Sequence, residues 1–359
     1  MNVNNPANSS ANPAGATDRY HRQTLLPQIG SAGQARLRAS RIVVLGCGAL
    51  GTVSAELLVR AGVGAVRLVD RDVVEWTNLQ RQTLYDESDA QHARPKATAA
   101  ATRLRAINRT VEIDAIVADA DAATLPRLLT EPRADLVIDG TDNADTRYLL
   151  NDLSIKLGIP WVYGAAVGVE GRVMPIRPKL GPCLRCVFPK PPSPGELMTC
   201  DTAGVLGPAT AIVGAMQAAC AIRMLVDPAH HMDDRLVRID AWRARFVELE
   251  LAEARDPGCV CCARGQYDFL ERPSRDRSRL CGRSAVQIAA PAVTTLDLPA
   301  LARRLRASGE VVLHEQMLRF VPAGRGEIAM SIFVDARALV HGTTDLSAAR
   351  SLYDRYVGR

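Results

Sequence analysis

The amino-acid sequence predicts an α/β protein whose main domain is a doubly wound, Rossmann-like, mostly parallel sheet. Short apolar runs alternate with helical stretches from residue 41 to residue 163. A glycine-rich turn, Gly46-Cys-Gly-Ala-Leu-Gly51, separates the first apolar run from the first helical stretch. An acidic residue, Asp70, ends the second apolar run. Together these three observations indicate a nucleotide-binding sheet.

The predicted elements follow one another at regular intervals. Strands are expected at 41–45, 65–69, 111–117, 136–138 and 161–163, with helices at 49–61, 93–107 and 145–157. Three later strands, at 171–177, 236–241 and 245–251, are expected to form an antiparallel extension. The apolar stretch 211–226 contains Gln217 and Arg223, so it predicts a buried helix rather than a membrane span.

A change in composition predicts a second, smaller unit. Residues 264–283 are Arg-rich and poor in apolar side chains, which indicates a linker. The expected organisation is a disordered tail at 1–18, a main domain at 19–263, this linker, and a small α+β domain at 284–359. In that domain we expect helices at 298–307 and 347–356 and strands near 311 and at 328–334. The proline-rich stretch 189–195 predicts a surface loop.

Composition excludes several classes of protein. The 359 residues are 47% hydrophobic and 23% charged, which argues against a disordered chain. A net charge of +5 gives no indication of nucleic-acid binding. The first 18 residues lack the apolar core of a secretory signal, and the nine cysteines therefore indicate metal ligands or reactive thiols rather than disulfides. We expect a cytoplasmic protein that binds neither nucleic acid nor a membrane.

The residues after the glycine turn narrow the choice of nucleotide. Glycines allow the backbone and the helix N-terminus to approach a phosphate, and Asp70 can bind ribose hydroxyls. This pattern alone fits a nicotinamide-dependent oxidoreductase equally well. Two cations, Arg81 and Lys96, come later in the chain, and Asp142-Asn143 follows a predicted strand, at the carboxyl edge of the sheet where ligands bind. Cations together with an acid favour a triphosphate with Mg²⁺.

Cysteine spacing predicts a metal site. Cys183 and Cys186 form one C-x-x-C pair, and Cys259 and Cys262 form a second. Four thiolates at this spacing can hold Zn²⁺ in a closed, structural site. Cys261 could replace either member of the second pair, but only Cys259 and Cys262 preserve the spacing.

One further cysteine stands apart from these pairs. Cys200 follows the proline-rich loop. It is either a nucleophile or an inert, half-buried thiol, and the sequence alone leaves both readings open.

These residues together resemble the ThiF/MoeB/HesA family, bacterial relatives of the ubiquitin-activating enzymes. The resemblance runs in order from about residue 18 to residue 262. Its segments include Arg19-Tyr-His-Arg-Gln23, the glycine turn, Val69-Asp-Arg-Asp72, Asn78-Leu-Gln-Arg-Gln82, Pro95-Lys96, Gly140-Thr-Asp-Asn143, both cysteine pairs and Thr199-Cys200. The C-terminal part resembles an extension found on some ThiF-like members, and it does not resemble the rhodanese domain of others.

The resemblance implies ATP-dependent adenylation of the C-terminal glycine of a ubiquitin-like sulfur carrier that ends in Gly-Gly. The pathway would be thiamine, molybdopterin or another sulfur-containing metabolite. Implied cofactors are ATP, Mg²⁺ and Zn²⁺. A homodimer is implied, with a cysteine desulfurase or a rhodanese supplying sulfur in trans. The alternatives are a nicotinamide-dependent oxidoreductase and an inactive scaffold relative.

Site residues carry over by position. The catalytic residues implied are Arg22, acting in the neighbouring subunit, Arg81, Lys96, Asp142 and Cys200. The implied nucleotide-binding residues include Asp70 for ribose, Asn78, Arg81 and Lys96 for the phosphates, and Asp142 for Mg²⁺. The glycine turn contributes Gly46, Gly48, Ala49 and Gly51, with the backbone around Gly48 and Ala49 on phosphate, and Asn143 completes the set.

Overall fold

The computed structural model describes residues 19–192, 200–228, 234–271, 285–288 and 295–358. Within these ranges the chain forms two units, each built on one sheet. The expected tail at 1–18 and residues 272–283 of the expected linker lie outside the described residues. The boundaries of the expected domains stay a prediction.

The two sheets are formed by short strands. In chain order they are β1 (Arg41–Leu45), β2 (Ala65–Val69), β3 (Glu112–Ile116), β4 (Leu136–Asp139), β5 (Trp161–Val167), β6 (Glu170–Ile176), β7 (Arg235–Asp240), β8 (Arg245–Glu250), β9 (Ala285–Ile288), β10 (Gly309–Leu313), β11 (Met317–Pro322), β12 (Ala329–Phe333) and β13 (Ala338–His341).

Helices connect and cover these strands. They are α1 (His21–Thr24), α2 (Gly30–Ala39), α3 (Ala49–Ala61), α4 (Glu87–Gln91), α5 (Lys96–Ile107), α6 (Leu125–Thr130), α7 (Ala144–Leu157), α8 (Leu184–Val187), α9 (Cys200–Ala203), α10 (Gly207–Val226), α11 (Asp268–Glu271), α12 (Leu298–Leu305) and α13 (Leu346–Tyr356). A 3-10 helix spans Trp76–Asn78.

The larger sheet has the predicted doubly wound arrangement. Its order is β3-β2-β1-β4-β5-β6-β7-β8. Neighbours from β3 to β5 run parallel, and neighbours from β5 to β8 run antiparallel. The chain leaves β1 towards β2 and β3 and returns to β4 on the other side. Because the loops after β1 and β4 therefore diverge, a crevice opens between them at the carboxyl ends of the strands.

Both faces of the larger sheet are covered. Ile42 and Val44 of β1 join an apolar layer formed with α3, α5 and α10. Val43 and Leu45 join the opposite layer, formed with α6 and α7. Burial on two sides explains why β1 is a continuous apolar run instead of an alternating one.

The long apolar helix α10 behaves as a core helix. Its length and composition would suffice to cross a membrane, but half of its most apolar 18-residue stretch is buried inside the protein. The helix packs against α3, β5 and β6. Gln217, fully buried in this helix, donates hydrogen bonds to the carbonyls of Asp139 (2.7 Å) and Val162 (3.1 Å). The prediction of a buried helix at 211–226 is confirmed.

The C-terminal unit is an antiparallel sheet with two helices on one face. Its order is β10-β11-β12-β13-β9, with α12 and α13 packed on Phe320, Ile332 and Val340. The predicted helices and two of the strands are present. Strands β9, β11 and β13 were not predicted.

Two boundaries differ from expectation for local reasons. Helix α5 begins at Lys96 instead of residue 93, since Ala93 has a positive φ of 45° and Pro95 is the N-cap residue. Strand β5 continues to Val167 instead of ending at residue 163, because it pairs with β6 as far as Glu170. Within the expected linker, Phe269 is buried against α7 in the N-terminal unit.

Candidate functional site

The glycine turn between β1 and α3 contains two kinds of glycine. Gly46 has a φ of 87°, and a Cβ there would lie 2.6 Å from the carbonyl oxygen of Gly140. A Cβ on Gly51 would lie 1.9 Å from the carbonyl oxygen of Gly46. Gly48 differs, because its nearest neighbour would be 3.9 Å away. Packing therefore requires Gly46 and Gly51, whereas Gly48 leaves open the space that a phosphate would enter at the N-terminus of α3.

Asp70 is attached to this turn by its carboxylate. One oxygen accepts a hydrogen bond from the Cys47 amide and the other from the Asp72 amide, both at 2.7 Å. Burial raises the pKa of Asp70, and the charge of Lys96 and the two amide bonds oppose that rise. Each oxygen keeps a lone pair for a further donor. The arrangement suits a group with two neighbouring hydroxyls, such as a ribose.

Lys96 enters the same crevice from the first residue of α5. Its side chain is 3% exposed, and Nζ lies 3.6 Å from a carboxylate oxygen of Asp72. The Lys96 amide donates to the carbonyl of Asp72 at 2.9 Å. A lysine this buried and held by one carboxylate is suited to meet a second anion in the crevice.

Tyr85 holds the turn and Lys96 together, and it was not among the residues predicted from the sequence. Its hydroxyl lies 2.7 Å from the carbonyl oxygen of Cys47 and 3.2 Å from that of Lys96. Burial raises the pKa of Tyr85, which keeps the hydroxyl protonated as a donor. No short motif marks this role, since the two partners lie 38 and 11 residues away.

Asn78 and Arg81 lie on and just after the 3-10 helix. Asn78 is buried, and its side-chain oxygen caps that helix by accepting from the Glu75 amide at 3.1 Å. Its amide group can still donate to a ligand. The half-buried Arg81 donates to the carbonyl of Thr77 at 2.8 Å.

Asp142 and Asn143 form the loop between β4 and α7, and both are exposed. The side-chain oxygen of Asn143 accepts from the amide of Asp145 at 2.8 Å, so this residue serves as the N-cap of α7. Below the loop, Arg147 pairs with the fully buried Asp139 at 2.9 Å. Arg147 also donates to the carbonyl of Thr141. Arg147, which was also not predicted as a site residue, therefore fixes the loop that carries Asp142.

Arg22 lies at the opposite end of the layer from the crevice. It is exposed on α1, and the adjacent Gln23 donates to the carbonyl of Ala61 at the end of α3. The glycine turn is at the start of the same helix. Thirteen residues of helix separate the two ends by about 20 Å. Arg22 is therefore remote from the crevice of its own chain.

The four predicted metal ligands come together. The Sγ atoms of Cys183, Cys186, Cys259 and Cys262 all lie within 4.8 Å of one another. The closest pairs are Cys186–Cys262 at 3.4 Å and Cys183–Cys259 at 3.7 Å. Tetrahedral Zn²⁺ with Zn–S bonds of about 2.3 Å needs sulfurs about 3.8 Å apart. The cluster could hold a metal ion, and its donor set fits zinc.

Asn151 of α7 fastens both cysteine segments. Its side-chain oxygen accepts from the Leu184 amide at 2.9 Å, and its nitrogen donates to Sγ of Cys261 at 3.3 Å. Cys261 thus bonds to the helix, in keeping with the preference for Cys259 and Cys262 as ligands. The remaining candidate, Cys200, begins α9, and its side chain lies outside the described residues.

The chain is similar in sequence to a known family and to named proteins. The model of the ThiF family matches residues 20–261. The sulfur carrier protein ThiS adenylyltransferase of Bacillus subtilis is 40% identical over 343 residues, which is 95% of this chain and 100% of that protein. The sulfur carrier protein adenylyltransferase of Thermus thermophilus is 41% identical over 270 residues, 74% of this chain and 96% of that protein.

A solved structure shows the same fold. The crystal structure of E. coli MccB with ATP has a TM-score of 0.58 and 20% sequence identity, covering 69% of this chain and 75% of that one.

Proposed function

The chain belongs to the ThiF family, and from this premise we propose that it is an adenylyltransferase of a ubiquitin-like sulfur-carrier protein. The observation that carries the proposal is the match to the Bacillus ThiS adenylyltransferase over the whole length of that protein. Both relatives described above are named as adenylyltransferases, which favours adenylation over hydride transfer. A carrier of the ThiS kind, ending in Gly-Gly, is the acceptor we infer.

The reaction joins the carrier to AMP. A carboxylate oxygen of the terminal glycine attacks the α-phosphorus, a new P–O bond forms, and the bond to the β-phosphate breaks to release pyrophosphate. The carboxylate is already ionised at neutral pH, so the reaction needs no general base. Positioning and charge neutralisation are the contributions required of the protein.

The crevice residues divide this work. The amides of the turn at Gly48 and Ala49 would receive phosphate oxygens, and the carboxylate of Asp70 would accept the ribose hydroxyls. Lys96, Arg81 and Asn78 would donate to the phosphates. Asp142, beside Asn143, would hold Mg²⁺, which supplies charge neutralisation for the leaving pyrophosphate.

The remote position of Arg22 supports a homodimer. Arg22 lies near the far end of α3, a helix about 20 Å long, so it is too remote to contact a nucleotide bound at the glycine turn of its own chain. In a symmetric dimer the same residue can approach the partner's crevice. We infer that Arg22 reaches the phosphates in trans.

The cysteines have separate roles in the proposal. The four clustered thiolates would hold Zn²⁺ as a structural clamp between segments 73 positions apart, from Cys186 to Cys259. Reduced thiols of this kind suit the cytoplasm, where we place the enzyme. Cys200 is proposed as the thiol that receives the activated carrier, with a cysteine desulfurase or a rhodanese supplying sulfur in trans.

Carrier-dependent ATP–pyrophosphate exchange tests the proposal. Exchange should require a carrier ending in Gly-Gly and should be lost in Asp142→Ala. The matched control is Asp145→Ala, since Asp145 is also exposed and lies in the first turn of α7. Exchange without any carrier, or full exchange by Asp142→Ala, would contradict it.

A further inference from the structure

The C-terminal sheet rests on the loops that carry the nucleotide-site residues. On the face opposite its two helices, Met317, Phe333 and Leu339 make an apolar contact with Val73 and Ala93 of the N-terminal unit. Val73 lies three residues after Asp70, and Ala93 lies three residues before Lys96. His314 of the C-terminal unit also lies 2.9 Å from the carbonyl of His92. The second unit therefore touches both chain segments that approach the crevice.

A partly buried polar cluster joins the two units at the same place. Asp119 accepts hydrogen bonds from Arg71 at 2.7 Å and from Gln287 at 2.6 Å. Arg337 lies 3.8 Å from the same carboxylate, above the ring of Phe333. Gln287 and Arg337 belong to the C-terminal unit and are 7% and 5% exposed. We call Arg71, Asp119, Gln287 and Arg337 the Asp119 latch.

One residue of the latch, Arg71, is adjacent in sequence to residues of the crevice. Arg71 stands between Asp70, whose carboxylate binds the glycine turn, and Asp72, whose carboxylate meets Lys96. The backbone of 72–74 is bonded to 94–96, through Lys96 to Asp72 and Val74 to Arg94. A displacement of Arg71 would therefore move the ribose-binding acid and the buried lysine together.

The C-terminal unit is an addition to the adenylyltransferase core. The family model ends at residue 261, before the C-terminal sheet. The alignment with the Thermus enzyme takes up 96% of that protein but leaves about a quarter of this chain unmatched. In the Bacillus enzyme the alignment extends over 95% of this chain. A unit that lies outside the family model and is matched in one named adenylyltransferase is suited to adjust the reaction.

We propose that the C-terminal unit sets the affinity for ATP, with Gln287 and Arg337 as positioning residues that act through Asp119 and Arg71. This inference rests on the function proposed above. The latch holds Asp70 and Lys96 in place before ATP arrives, so that less ordering is required on binding. Loosening it weakens ATP binding and leaves the attack on the α-phosphorus largely unaltered.

Equilibrium binding of ATP to the full chain, measured by calorimetry, tests this. Gln287→Ala and Arg337→Met should each raise the Kd for ATP about tenfold. The kcat of carrier-dependent exchange should stay within about twofold while the KM for ATP rises with the Kd. The control is Arg304→Met, the same substitution in α12, where the arginine bonds to the carbonyls of Tyr356 and Val357 inside the C-terminal unit.

Each result bears on the proposal. Weakened binding in both latch variants, with Arg304→Met like the wild type, supports it. Unchanged affinity in the latch variants overturns it, as does equal weakening in Arg304→Met or a fall in kcat alone. If the wild type binds ATP and the latch variants bind it equally well, only the role of the latch is refuted. If the wild type fails to bind ATP, the adenylyltransferase assignment is refuted too.

Discussion

The glycine turn allows a direct comparison between a residue required by packing and one required by a ligand. Gly48→Ala adds a methyl group to a residue in the extended region, at φ −84° and ψ −151°, with no protein atom closer than 3.9 Å. The folded protein accommodates it, and the unfolded chain loses freedom. We expect the free energy of unfolding to stay the same or rise by about 0.4–1 kcal/mol.

Gly51→Ala is the matched substitution. Its new Cβ would lie 1.9 Å from the Gly46 carbonyl oxygen, and ordinary contacts begin at 3.4 Å. The turn or the start of α3 must move by roughly 1.5 Å, at a cost of about 1–3 kcal/mol or more for an overpacked site.

ATP binding, unlike stability, should be impaired by the substitution at Gly48. The added methyl group occupies the space that a phosphate oxygen needs above the turn, so ATP affinity should fall at least tenfold, which is about 1.4 kcal/mol. Denaturant unfolding measures the first effect, and calorimetric titration with ATP measures the second. The reasoning is refuted if Gly48→Ala binds ATP as the wild type does, or unfolds as readily as Gly51→Ala.

Other predictions test the metal, the dimer, the thiol and the latch. Elemental analysis should find one Zn²⁺ per chain, and Cys183→Ser should lower thermal stability more than ATP affinity; chelator-free protein without zinc would contradict this. Inactive Arg22→Ala and Asp142→Ala chains should recover exchange when mixed, since an arginine in trans can contribute about 10³-fold. No recovery after proven subunit exchange would place Arg22 outside the partner's site. Cys200→Ser should keep pyrophosphate exchange but slow thiocarboxylate formation, followed by intact mass; an unchanged rate would make the thiol a packing residue. Burial raises the pKa of Asp119, but two paired guanidinium groups outweigh it and the pKa is lowered. The stability that Asp119→Asn removes should thus be complete above about pH 4 and vanish as pH falls through the lowered value; an undiminished difference in unfolding free energy at pH 2 would count against the pairing.

The sequence predicts well what depends on neighbours in the chain. The strand, turn and helix around Gly46 follow from apolar runs and glycines within twenty residues, and α3 has the predicted bounds, Ala49–Ala61. The clustering of the two cysteine pairs could be predicted for another reason. Their spacing is set by metal coordination itself, so the pattern survives a separation of 73 positions.

Contacts between segments that are distant in the chain could not be predicted from the sequence. Tyr85 joins two carbonyls 38 and 11 residues away, and Asn151 bonds to Cys261 across 110 residues. Tyrosine and asparagine are common core and helix residues, so neither residue type signals such a role. Within the Asp119 latch, Arg71 bonds to Gln287 across 216 residues, and Gln287 lies on β9, a strand of only four residues.

The apolar seam between the two units has a consequence for the evolution of shorter homologues. In this chain Val73 and Ala93 are 4% exposed because the C-terminal sheet covers them. A homologue that ends near the family boundary leaves the same positions facing water, where a contiguous apolar patch favours aggregation. Loss of the C-terminal unit should therefore be accompanied by apolar-to-polar exchanges at these positions, and gain of the unit by the reverse exchanges. An alignment of long and short homologues would show this as covariation between chain length and the polarity of two loop residues.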